Sequence, residues 1–151
     1  MDILEIKDLE KLAKRRVPKM FFDYVNSGSW TESTYRDNIN DFSKIKLRQR
    51  IAVDMTDRKL SSKMAGIDVS MPLALAPTGL TGMQHADGEI LAAQAAEEFG
   101  IPFTLSTMSV CSIEEVAKHT KKPFWFQLYV MRDKKFMERL IDRAKDLGVV
   151  L

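Results

Sequence analysis

A chain of 151 residues with 45% hydrophobic and 29% charged side chains can bury one core and has ordinary globular composition. No apolar run approaches the roughly eighteen residues that cross a bilayer, and the start, MDILEIKDLEKL, shows no basic region followed by an apolar stretch, so neither a spanning helix nor a secretory signal is expected. A formal charge of +2 is near balance and argues neither for nucleic acid nor for strong steering of an anion, and the single cysteine, Cys111, argues against an internal disulfide or a thiolate metal cluster, which fits a reducing cytosol.

The first third predicts short helices. Leu9, Leu12, Ala13 and Val17 form a helical stripe that Pro18 interrupts. Met20, Phe21, Tyr24 and Val25 form a second stripe, closed by Ser27–Gly28. A third starts near Thr31–Glu32 and carries Tyr35, Ile39, Phe42 and Ile45. From about residue 50 the pattern changes, and Gly66 between short alternating runs in 63–69 predicts a hairpin.

From residue 71 onward strand and helix alternate. Leu73–Ala76 is a short apolar run of the kind buried on both faces, ending at Pro77–Thr78–Gly79. A helix follows through Glu89, Ile90, Leu91, Ala95, Ala96 and Phe99, with Gly100 as its stop. Phe103–Ser106 is the second strand, and Ser112-x-x-Glu115 is a capping box opening a helix from Ile113 to Ala117. Phe124–Val130 is the third strand. Asp133 caps a helix through Phe136, Met137, Leu140, Ile141, Ala144 and Leu147 that ends at Gly148, and Val149–Val150–Leu151 opens a fourth strand.

Three βα units and the start of a fourth strand imply a parallel sheet with right-handed crossovers, either doubly wound or closed. The polar residues favour closure. Thr78, Ser106, Gln127 and Tyr129 fall at the C-terminal ends of three different strands, where a barrel keeps its site, and no G-x-G-x-x-G follows the first strand. The expected fold is α/β: the N-terminal portion of a (β/α)8 TIM barrel, with residues 1–70 as a helical extension and hairpin, and 71–151 as three βα units plus the start of strand four. A closed barrel needs roughly 200 residues or more, so this one is expected to be incomplete, with an apolar sheet edge at its end.

Each chemistry-bearing residue has two readings. Pro77, Thr78 and Gly79 either offer backbone groups to a flat heterocycle or form a plain βα turn. Gln127 and Tyr129, at i and i+2 on one strand face, either meet a polar ligand or satisfy structural hydrogen bonds. Ser106 lacks a G-x-S-x-G frame and a base, so it suits a hydrogen-bonding role and not a nucleophilic one. Tyr24, by spacing alone, is a core aromatic. His85 begins the first barrel helix, in its loop or first turn, and His119 lies near a helix end where a cation suits the dipole; neither has metal-ligand spacing, and both read as structural or surface residues.

Asp23-Tyr24-x-x-Ser27-Gly28, Asn38 through Phe42, Leu47-Arg48-x-Arg50, Met71-Pro72, Ala76-Pro77-Thr78, Gly88-Glu89, Leu105-Ser106, Ser112-x-Glu114-Glu115-Val116-Ala117 and Phe126-Gln127-Leu128-Tyr129 together resemble the N-terminal region of the FMN-dependent α-hydroxy-acid oxidase and dehydrogenase family. The match runs in order along nearly the whole chain. The wording of 79–83, 106–111 and 124–126 is most similar to the bacterial respiratory branch that oxidises L-lactate.

The resemblance implies FMN as cofactor, with the Pro77–Thr78–Gly79 backbone against the flavin and Ser106 and Gln127 hydrogen-bonding its isoalloxazine. It implies Tyr24 on the substrate carboxylate and Tyr129 on the hydroxyl oxygen of a small L-2-hydroxy acid. Met108 stands where many family oxidases carry a tryptophan. The base, second arginine and flavin-side lysine have no counterpart here, so no catalytic group of that kind is expected within residues 1–151. The implied acceptor is a respiratory quinone or cytochrome, and the implied location is cytoplasmic, peripheral on the inner face of the membrane. The complete enzyme is expected to be a homo-oligomer, or to have its barrel completed by a second polypeptide. Two rivals stand beside it: a non-catalytic remnant acting through its sheet edge, and a glycolate- or mandelate-oxidising member of the same family.

Overall fold

The computed structural model describes residues 3–150. The chain divides into two compact units, Met1–Arg58 and Lys59–Leu151, the second opening just before the hairpin.

In the first unit α1 spans Ile6–Arg16. The Asp8 carboxylate accepts the Leu4 and Glu5 N–H groups, and Lys14, Arg15 and Arg16 occupy the last turn, so both helix ends are electrostatically matched. Val17, before Pro18, is extended, as proline requires of its predecessor. α2 (Lys19–Val25) buries Phe22. α3 (Ser33–Asn40) runs into a 3₁₀ turn at Asp41–Lys44. Gly28 is needed between α2 and α3, because a Cβ there would stand 2.8 Å from the Tyr35 Cβ.

The second unit opens with the expected hairpin, β1 (Ser62–Met64) against β2 (Ile67–Val69), antiparallel. Its two turn residues, Ala65 and Gly66, both have positive φ (46° and 81°), which matches the right-handed twist of the strands. A short helix α4 (Thr81–Gln84) follows, then α5 (Gly88–Phe99), β3 (Thr104–Ser106), α6 (Ile113–His119), β4 (Trp125–Gln127) and α7 (Lys134–Asp146). α4 is too short to show periodicity in the sequence.

β3 and β4 pair in parallel, Leu75 bridges to Phe103 on one side, and Val150 bridges to Trp125 on the other. The parallel segments therefore lie in sequence order, as in a barrel wall, with no reversal as in a doubly wound sheet. No closed barrel forms among the described residues.

The strands are shorter than their apolar runs. Within Leu73–Ala76 only Leu75 pairs, and Leu73 is half exposed, because this segment has a partner on one side only. Leu128, Tyr129 and Val130 leave the β4 ladder. Of the expected fourth strand, Val150 makes ladder bonds to Phe124 and Phe126, and Leu151 lies outside the described residues.

The core lies between the helices and one face of this sheet. Leu105 and Phe126 point into it, with Phe103 and Phe124 tilted against each other at 6.2 Å. Ala93 and Ala96 of α5, Ile113 and Val116 of α6, and Leu140 and Ala144 of α7 close over them. α5 ends on Gly100 in the left-handed region (φ 68°). The Ser112 hydroxyl accepts the Glu115 N–H while the Glu115 carboxylate accepts the Ser112 N–H, completing the capping box of α6. Asp133 caps α7, and Arg143 grips Glu114 through two 2.7 Å bonds that tie α7 to α6.

Candidate functional site

The C-terminal ends of the parallel segments carry a rim of short polar groups. Ser106, the last residue of β3, is buried; its Oγ donates to Gln127 Oε1 at 3.3 Å and accepts the Met108 N–H at 3.1 Å. The two residues are register partners, so parallel pairing alone sets them side by side. Gln127 is half-buried, and among the described residues its Nε2 has no protein acceptor. Thr107 was not picked out by sequence, yet it joins the rim: its Oγ1 donates to the Gln127 carbonyl and accepts the Tyr129 N–H at 3.0 Å. Tyr129 has left the strand, so the loop and not the i, i+2 alternation sets its position; its side chain is half exposed.

The first loop supplies Pro77 and Thr78, both exposed, and Gly79, half-buried. Leu80 follows in the left-handed region (φ 56°), uncommon for a side chain of its size, and its N–H reaches the Met108 carbonyl at 2.9 Å. The first and second βα loops are thereby joined. Gly82 makes the approach possible, because a Cβ there would sit 2.7 Å from the Val110 Cβ; on Gly88 a Cβ would sit 2.8 Å from the Thr81 carbonyl oxygen, so that glycine lets the start of α5 pack against α4. Tyr24 belongs to the first unit, on α2, and is exposed there.

Glu89 is the other residue that sequence reasoning passed over as a site element. It is 1% exposed, and its Oε1 accepts the Gly82 N–H at 3.0 Å and the Val110 N–H at 2.9 Å. Burial raises its pKa, but these backbone donors outweigh burial and hold the carboxyl below the usual range. Its signal was a carboxylate set directly before the apolar run Ile90–Ala93 in the first turns of α5. Cys111 beside it is pushed up to about 11 by burial and by Glu89, so the thiol stays protonated and is no nucleophile.

His85 is exposed in the loop before α5, with Nδ1 2.7 Å from the Ala86 carbonyl. His119 closes α6, with Nδ1 2.7 Å from the Glu115 carbonyl. Among the described residues no cluster of His, Cys, Asp or Glu could hold a metal ion, and no helix is long and apolar enough to cross a membrane. A cavity of about 340 Å³ lies at the opposite, N-terminal ends of the strands, between Val69, Ala96, Ile101, Phe103, Phe124 and Val150. Its mostly apolar lining brings none of the rim groups together.

Consecutive parallel segments with polar groups gathered at their C-terminal ends are the arrangement of a barrel enzyme's ligand-binding face. The comparisons then give the family. Residues 13–151 match the family model described as FMN-dependent dehydrogenase, and the chain belongs to that family, whose cofactor is FMN. It is 49% identical over 142 residues to an L-lactate dehydrogenase of Vibrio parahaemolyticus, covering 94% of this chain and 38% of that protein. It is 49% identical over 148 residues to an L-lactate dehydrogenase of Acinetobacter baylyi, covering 98% and 38%. A soluble mutant of the membrane-associated (S)-mandelate dehydrogenase from Pseudomonas putida superimposes with a TM-score of 0.91 at 35% identity, over 97% of this chain and 42% of that one. The chain thus spans about 38% of the length of the curated relatives it matches.

Proposed function

We propose that residues 71–151 are the first three βα units, and the start of the fourth strand, of an FMN-binding (β/α)8 barrel, with 1–70 as its N-terminal extension. The polypeptide carrying them oxidises an L-2-hydroxy acid, L-lactate to pyruvate. The observation that supports this best is the rim itself: Ser106 and Gln127 paired across adjacent strands, with Thr78 and Tyr129 exposed beside them. The near half-identity to L-lactate dehydrogenases supports lactate as the substrate within the family.

The donor set fits a flavin edge. A planar heterocycle with ring nitrogens and carbonyl oxygens at its rim needs short hydroxyl and amide partners around it. Thr78 and Ser106 supply hydroxyls, Gln127 keeps an amide donor without a protein acceptor, and Pro77 and Thr78 are exposed. Bound FMN would supply a two-electron acceptor for the α-hydrogen together with the electron pair of its C–H bond. The Tyr129 phenol hydrogen-bonds the substrate hydroxyl oxygen, and Tyr24 binds the carboxylate. The base that receives the hydroxyl proton, the second arginine and the lysine are supplied from outside residues 1–151, and the acceptor that reoxidises the flavin is a quinone or cytochrome.

Tyr129→Phe in the complete native polypeptide tests the assignment. Turnover with lactate is expected to fall by on the order of 10²-fold, with the flavin absorption spectrum retained. Unchanged turnover removes Tyr129 from the site. Comparing kcat/KM for lactate, glycolate and mandelate tests the substrate.

A second reading is that the native product is non-catalytic and acts through the edge of its sheet. Detecting the native product with an antibody to the N-terminal region separates the two. A product near 17.2 kDa favours the second reading, and a much larger one favours the enzyme.

A further inference from the structure

Glu89 takes no part in the chemistry above, yet it is almost fully enclosed. Its Oε1 holds two backbone amides. The Gly82 N–H comes from the first turn of α4, within the first βα connection, and the Val110 N–H comes from the second loop; both converge on this single atom, at 3.0 and 2.9 Å. Two backbone donors cannot share one small acceptor unless their loops are drawn together, and the Leu80 N–H to Met108 carbonyl bond, 2.9 Å, links the same loops a second time. The loops are close enough that Gly82 admits no Cβ, and Leu80 is held in a left-handed conformation that persists only where its surroundings over-determine it.

The two loops joined here carry Thr78 and Gly79 on one side and Thr107 and Met108 on the other, with Ser106 at the root of the second. A charged acceptor is stronger than a neutral one, and enclosure strengthens it further. Glu89 Oε2, in contrast, takes up neither loop amide and lies beside the Cys111 thiol, so the contact between the loops is made by Oε1 alone.

We propose that Glu89 is a positioning residue, a clamp whose Oε1 fixes the first two βα loops against each other in the arrangement they present to the flavin. The flavin part of this statement rests on the function proposed above; the clamp does not.

Glu89→Met, Glu89→Gln and Glu89→Asp in the complete native polypeptide test it, read by amide hydrogen exchange and by FMN titration. Methionine keeps the volume and loses the acceptor. Glutamine keeps a carbonyl oxygen in place. Aspartate is one carbon shorter and reaches one loop at most. In Glu89→Met the Gly82 and Val110 amides are expected to exchange about tenfold faster or more, while Leu105 and Phe126 in the core stay protected. FMN affinity is expected to fall by about tenfold or more in the same variant and to stay within about threefold of the parent in Glu89→Gln. Should Glu89→Met not fold, Glu89→Asp carries the same expectation at one or both amides.

Methionine performing as well as glutamine in both readouts overturns the clamp, since filling space would then suffice. Faster exchange at Gly82 and Val110 with unaltered FMN affinity overturns the link to the flavin. A parent protein that takes up no FMN, yet shows the exchange pattern across the variants, supports the clamp and removes the flavin reading.

Discussion

The two units of this chain differ in how far they satisfy themselves. Lys59–Leu151 encloses a continuous core from α5, α6, α7 and one face of the parallel strands, with Leu105, Val116 and Ala144 fully buried. Met1–Arg58 buries a single side chain, Phe22, among its described residues, and leaves Leu47, Ile51 and Trp30 more than nine-tenths exposed. Both have amphipathic stripes. A βα unit brings a hydrogen-bonded strand and a covering helix together within about thirty residues, so its apolar faces meet locally. The helices of the first unit have no sheet of their own to cover. Apolar patterning specifies which face is to be buried; a core exists only where topology supplies a second face.

The sharpest way to break this contrast is a pair of truncations. Leu105→Ala is expected to lower unfolding stability by about 2–5 kcal/mol, and Leu47→Ala to change it by less than about 0.5 kcal/mol, as read from denaturant midpoints. Equal losses would mean that the first unit packs its apolar residues as tightly as the second. Gly82→Ala tests the loop contact next: the Cβ that would lie 2.7 Å from Val110 is expected to cost about 1–3 kcal/mol, visible as a lowered melting temperature. Ser112→Ala removes the side chain half of the α6 cap and is expected to cost about 1 kcal/mol; a loss under a few tenths would show that the backbone alone holds that turn.

The smallest effect is electrostatic. The Arg143 guanidinium beside Glu114 lowers its carboxyl to about 2, against a free value near 4.5. A depressed carboxylate contributes stability above its unfolded pKa and loses it as pH falls through the folded one. The Glu114 contribution is therefore intact at pH 5 and above and fades between about pH 4.5 and 2. Because both side chains are nearly half exposed, solvent screening keeps it small. Arg143→Ala should flatten that part of the acid melting profile and leave the neutral region almost unchanged; an undiminished acid slope would show the pair contributes nothing.

The sequence by itself determined most of the helices. The stripe of α1, the stop at Gly100, the capping box at Ser112 and Glu115 and the cap at Asp133 are all local, because a helix and its caps are made from neighbours three or four positions apart. The rim residues Thr78, Ser106, Gln127 and Tyr129 were also legible, as polar interruptions where apolar runs end. The strands were only partly so: the apolar runs 73–76 and 124–130 extend further than the ladders, since a strand ends where its neighbour does and the neighbour is remote in sequence. The same reason hid Thr107 and Glu89. Nothing at position 89 announces that its carboxylate will accept N–H groups from positions 82 and 110, because that meeting exists only once two loops have been folded over the start of one helix. Local periodicity fixed which residues face inward, and tertiary packing alone decided which backbone groups each buried charge would have to satisfy.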